Sequence, residues 1–152
     1  MENVIESFTA SCYNKQPVFS RPAHKKIVTD SLKFLVDSGR IRLYGFVIMP
    51  TSISVVWSKK EEWGDKNIYQ VFLKYTAQRI KHNIKTNHRQ DLEHFRSRRV
   101  DRIYQFWERK NQKVKISSYE DAMLELNFIH ALPHEHLNFP YAELHLLVSG
   151  LL

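Results

Sequence analysis

Ile41-Arg42-Leu43-Tyr44-Gly45-Phe46-Val47-Ile48-Met49-Pro50-Thr51-Ser52-Ile53-Ser54-Val55-Val56-Trp57 reads as two β-strands separated by a short break. The first half is rich in β-branched and aromatic residues, Pro50-Thr51 interrupts it, and Ile53, Val55 and Trp57 then alternate onto one face. So short a connection leaves the two strands as antiparallel neighbours. Upstream, residues 4–12 alternate loosely and predict a strand, and Asn14-Lys15-Gln16-Pro17 predicts a turn. Ser20-Arg21-Pro22 then offers a cap and a first-turn proline for a helix whose apolar residues, Val28, Leu32, Leu35 and Val36, recur at helical spacing as far as Gly39.

Downstream, Ile68, Val71, Phe72 and Tyr75 mark a second amphipathic helix that continues toward Ile80 and Ile84. Residues 88–99 are polar and without period, which predicts a loop, and a strand is expected around 102–107. Ser117-Ser118-Tyr119-Glu120 has the spacing of a capping box and opens a third helix through Met123, Leu126 and Ile129, ending before Pro133. The order strand, helix, strand, strand, helix, strand, helix predicts one α+β domain over residues 1–152. Its expected architecture is a ferredoxin-like split βαβ sandwich, a mainly antiparallel sheet with helices on one face.

The chain has 152 residues and a formal net charge of +7. The excess is concentrated: between Arg79 and Lys115 twelve Lys or Arg face four acids, and no Lys or Arg follows Lys115. A basic block of this kind suits a phosphate backbone, because each neutralised phosphate releases counterions. Arg79, Lys81, Lys85, Arg89, Arg96, Arg98, Arg99 and Arg102 are the candidate DNA contacts. Cys12 is the only cysteine, which excludes an intrachain disulfide and any site built from several thiolates. The chain shows no secretion signal and no apolar run of about 18 residues, so a cytoplasmic protein without membrane insertion is expected.

Three strings carry a family resemblance. The strand ending in Val47-Ile48-Met49-Pro50, followed by Thr51-Ser52-Ile53-Ser54-Val55, resembles the signature of single-tyrosine HUH transposases of the insertion-sequence-200-like kind, close to the REP-associated tyrosine transposases. There a strand of this type precedes Asn-His-hydrophobic-His-hydrophobic. Phe106-Trp107-Glu108-Arg109 with Ile116-Ser117-Ser118 resembles the family's Trp-containing strand and turn. Leu126-Asn127-Phe128-Ile129-His130-Ala131-Leu132-Pro133 resembles its tyrosine-bearing helix. With Phe8-Thr9-Ala10-Ser11 and Pro17-Val18-Phe19 at the opening, the resemblance spans about residues 5 to 133 in the family's order.

The resemblance implies a fold, a chemistry and a departure from that chemistry. In the family, two histidines bind a divalent metal such as magnesium or manganese, and the tyrosine attacks phosphorus. Ser52 and Ser54 stand at the histidine positions, Thr51 at the Asn, Phe128 at the tyrosine, and Leu132 where relatives carry a polar residue. No catalytic position is intact, so no metal or other cofactor is expected. The other candidates are weaker. His130, His134 and His136 flank a proline in an irregular tail, His82, His88 and His94 read as solvated or phosphate-facing, and Tyr119 lies nine residues before Phe128, out of reach of its job. Trp63 is the tryptophan expected to be exposed.

Two function classes follow. One is a transposase-like protein that binds hairpin or single-stranded DNA through its basic face without cleaving it. The other is a protein-interaction or dimerisation module on the same degenerate scaffold, since relatives commonly form homodimers; an active nuclease of altered mechanism is the least favoured reading.

Overall fold

A computed structural model of the chain describes residues 5–60, 67–97, 104–109, 112–116, 118, 120–121, 124–125 and 143–145. Its elements are β1 (Ile5–Ser11), α1 (Pro22–Asp37), β2 (Ile41–Met49), β3 (Ser52–Lys59), α2 (Ile68–Asn87), β4 (Gln112–Ile116) and β5 (Glu143–His145). The sheet order is β4-β1-β3-β2-β5, with every neighbouring pair antiparallel. Two βαβ units, β1-α1-β2 and β3-α2-β4, therefore interleave as in a ferredoxin-like fold, and β5 is added outside β2.

The alternation in the deciding stretch has its physical counterpart in the core. Ile53, Val55 and Trp57 face the helices with Phe8 and Ala10 of β1, Cys12 just after it, and Phe46 and Ile48 of β2, and all are buried. The Trp57 ring meets Phe8 edge-on at 4.8 Å and Phe72 of α2 at 5.7 Å. Cys12 is fully buried, and burial pushes its thiol well above the ordinary range, as befits a small core residue rather than a nucleophile.

Helix α1 begins with Pro22 at its first position, where the missing N–H costs nothing. Arg21 takes the cap position without a side-chain hydrogen bond, so Ser20 does not cap it. It ends in a Schellman arrangement: Gly39 N–H donates to Val36 O and Arg40 N–H to Leu35 O, with Gly39 at φ 75°. Only glycine takes that left-handed φ without strain.

Four local expectations are corrected. In α2 the buried stripe is Ile68, Phe72, Thr76, Ile80 and Ile84, while Val71 and Tyr75 point outward. Thr76 fits the apolar side because its hydroxyl donates to Phe72 O and Leu73 O one turn back. The polar stretch after α2 is a 3-10 helix over Arg89–Phe95, not a loop, and Leu92 and Phe95 are buried three residues apart on one side of it. Among the described residues around 102–107, only isolated bridges occur, Arg96 with Tyr104 and Cys12 with Trp107, and the fourth strand lies later, at Gln112–Ile116. Phe106 and Trp107 are buried as core rings instead, with the Trp107 indole N–H donating to Leu73 O at 3.1 Å. Finally, the Asp121 N–H bonds Ser118 Oγ at 3.1 Å, so the helical turn containing Glu120 and Asp121 is capped by Ser118 rather than Ser117. The rest of that expected helix lies outside the described residues.

Candidate nucleic-acid interface

Period 2 in β3 sends Ser52, Ser54, Val56 and Ser58 to the face opposite α1 and α2. Their register partners on β1 are Ser11, Thr9, Ser7 and Ile5. The result is a sheet face whose polar groups are mostly hydroxyls. Thr9 Oγ1 and Ser54 Oγ are hydrogen-bonded at 2.9 Å, Tyr44 Oη and Ser58 Oγ at 3.1 Å, and Ser7 Oγ donates to Glu125 Oε2 at 3.2 Å. Ser54 is 6% exposed, so its hydroxyl is spent on Thr9 rather than on water.

This donor set does not fit a divalent cation. Magnesium and manganese take carboxylates, carbonyls and water, and transition metals take imidazole or thiolate; here Glu125 is a single carboxylate, bonded by Ser7, and the paired hydroxyls of Thr9, Ser54, Tyr44 and Ser58 carry no charge. Among the described residues no three His, Cys, Asp or Glu side chains lie close enough together to hold a metal ion. Phe128 and Leu132, the other two positions matched by resemblance, lie outside the described residues, as do Trp63, Tyr119 and the histidines from 130 onward.

The basic residues of α2 lie in the helical layer, on the side of the sheet that carries Trp57. Helix α2 carries Lys74, Arg79, Lys81 and Lys85 and no Asp or Glu in its 20 residues. All four cations are exposed, as is His82. The exposure follows from the buried stripe, which recurs every four residues and turns the intervening positions to solvent. Arg89 and Arg96 extend this surface along the 3-10 helix that packs against the end of α2, and both are exposed. Arg96 is engaged by Glu93 in a two-point contact, both bonds 2.9 Å, which raises the Arg96 pKa and lowers that of Glu93. A pair this exposed is weak enough for a phosphate to replace the carboxylate. Of the eight candidate DNA contacts, Arg79, Lys81, Lys85, Arg89 and Arg96 are exposed on α2 and the 3-10 helix that follows it, while Arg98, Arg99 and Arg102 lie outside the described residues.

Two contacts that sequence reasoning missed fix this surface to the core. Arg21 Nη2 donates to Asp91 Oδ2 at 2.6 Å, joining the start of α1 to the 3-10 helix, and this bond holds the Asp91 carboxyl below its ordinary range. His24 is fully buried, with Nδ1 2.9 Å from Val18 O and Nε2 2.8 Å from Asn83 Oδ1. The Val18 carbonyl only accepts, so Nδ1 carries the proton; in a neutral ring Nε2 then accepts, and the Asn83 amide turned to present its NH2 satisfies it. Burial, aided by the neighbouring Arg21 and His88 charges, holds His24 below the usual imidazole value. Its position four residues before Val28, on the stripe that becomes core, is the sequence signal that marked it.

The fold is similar to that of transposases of known structure. The structure of a REP-associated tyrosine transposase bound to a REP hairpin matches with a TM-score of 0.62 at 11% sequence identity, over 93% of this chain and 77% of that one. A protein of Deinococcus radiodurans R1 assigned as a transposase matches with a TM-score of 0.55 at 8% identity, over 84% of this chain and 90% of the other. At such identities the likeness is one of fold. No family model matches the sequence, and no curated protein matches it. Among the described residues, no helix is long and apolar enough to cross a membrane.

Proposed function

We propose that this protein binds hairpin or single-stranded DNA through the exposed cations of α2 and the following 3-10 helix, and that it does so without cleaving the strand. The observation that carries the reading is α2 itself, a 20-residue surface helix with four cations and no acid, on a scaffold one of whose structural neighbours is bound to a REP hairpin. Like charge crowded on one helix costs stability unless a polyanion neutralises it, and a phosphate backbone is the polyanion whose spacing suits such a row.

The absence of cleavage rests on the hydroxyl face. Ser52 and Ser54 present side chains that neither bind a divalent cation well nor accept a proton from an attacking group at neutral pH. The cationic surface and the hydroxyl face lie on opposite sides of the sheet, so a duplex stem held by α2 is not thereby laid across Ser52 and Ser54. Incubation of the full chain with an end-labelled hairpin and manganese, followed by denaturing electrophoresis, is expected to show no covalent protein–DNA adduct, while the same hairpin is retained in a native gel. An adduct would overturn the non-cleaving part, and an unretarded hairpin at low salt would overturn the binding part.

A further inference from the structure

The groove between α1 and α2 is lined by side chains that a helical layer ordinarily hides. Phe34 is 56% exposed, Val71 61% and Tyr75 51%, and with Ile27, Leu35 and Phe72 beneath them they border a cavity of about 380 Å³. They are brought together by two helical spacings, Ile27-Ser31-Phe34 along α1 and Val71-Tyr75-Arg79 along α2. Cations edge the groove. The Arg40 guanidinium lies 5.0 Å over the Phe34 ring, and Arg79 closes the α2 side one turn beyond Tyr75. The one acid at the rim, Asp30, is held by Lys26 at 2.8 Å.

We infer that this groove receives unpaired bases of a single-stranded nucleic acid, stacked on Phe34 and Tyr75, while the phosphates follow the cations of α2. The inference rests on the DNA-binding reading and adds the chemical part of DNA that this surface recognises. Exposed rings beside a cationic track are the two components of a sequence-tolerant single-strand site: every base has a π-face, and the track holds the backbone. Charge decides the occupant. Lys74, Lys81 and Lys85 recur along the far side of Val71 and Tyr75, so an occupant of this face meets cations on both flanks. A second copy docking α2 on α2 would bring eight Lys and Arg together with no acid on either helix to offset them.

The test uses the full chain, a Phe34→Ala, Tyr75→Ala double variant, and two fluorescent probes: a blunt DNA hairpin and the same hairpin with a thymidine tail. Because both rings are largely exposed, the variant is expected to melt with the parent by circular dichroism. It should bind the tailed probe at least about tenfold more weakly, since two stacking rings are removed and one stacked base alone is worth about that much, with the blunt probe and the salt dependence unchanged. Tyr75→Trp with Phe34 intact should restore tailed binding. Equal affinity of parent and double variant for the tailed probe overturns the inference and leaves DNA binding standing. A parent dimer that the double variant dissociates in light scattering also overturns it, making the groove a self-association face. A parent that ignores both probes overturns the inference together with the DNA-binding reading.

Discussion

His24 shows how one buried side chain couples the basic surface to the fold. Its imidazole sits between the Val18 carbonyl and Asn83 of α2, so the loop before α1, α1 itself and α2 meet at one ring. Burial lowers its folded-state pKa below the unfolded value of about 6.5. The unfolded chain therefore binds the proton more readily. The contribution of the neutral ring to stability is fully present above about pH 6.5 and is lost as the pH falls toward the folded-state pKa. The urea midpoint is expected to drop between about pH 7.5 and pH 5.5. His24→Gln should be less stable at the higher pH and show a flatter dependence across this interval; a parental slope in that variant would exclude His24 as its source. The Asp91 carboxylate, also lowered, adds its loss only at more acid pH, below the ordinary carboxylate range.

The helices and strands differ in how openly the sequence declares them. β2 and β3 were legible because β-branched and aromatic residues fill both sides of the Pro50-Thr51 break, with Ile53, Val55 and Trp57 alternating in β3, where a register slip would turn these core side chains outward. β4 was not, because in Gln112–Ile116 the Val and Ile alternate with exposed Lys113 and Lys115, the usual signature of a charged sheet edge, which reads as polar chain. The 3-10 helix after α2 was hidden for a different reason: its apolar content is two residues, Leu92 and Phe95, too few to establish a period. Yet Phe95 stacks on Phe106 at 5.7 Å and 19°, and Phe106 and Trp107 pack on Phe19. Phe95→Ala is accordingly expected to cost about 3 kcal/mol in chemical denaturation, the value for emptying a core ring position. A cost under about 1 kcal/mol would mean that this segment contributes little to the core. Val71 and Tyr75 were read as core because they share helical spacing with Phe72, and periodicity alone cannot say which of two adjacent stripes is covered.

Taken as one molecule, the chain separates two surfaces that the sequence presents in succession. The positions matched to catalytic histidines fall on the hydroxyl face of the sheet, and the cations fall on the helical layer behind it. That separation follows from period 2 in β3 and from the four-residue stripe of α2, but it becomes visible only once α2 is laid on the other face. Ser52 and Ser54 themselves were singled out in the sequence by resemblance alone. The structure adds that Ser54 is paired with Thr9 and nearly covered.

The measurement to make first is the affinity for a DNA hairpin across a salt series, for the parent and for a Lys81→Ala, Lys85→Ala variant. If α2 holds the phosphates, log affinity falls linearly with log salt, and the variant loses affinity with a slope shallower by roughly 1.5 to 2, two contacts' worth of released counterions. Binding that is insensitive to salt, or identical slopes for parent and variant, would contradict the placement of DNA on α2.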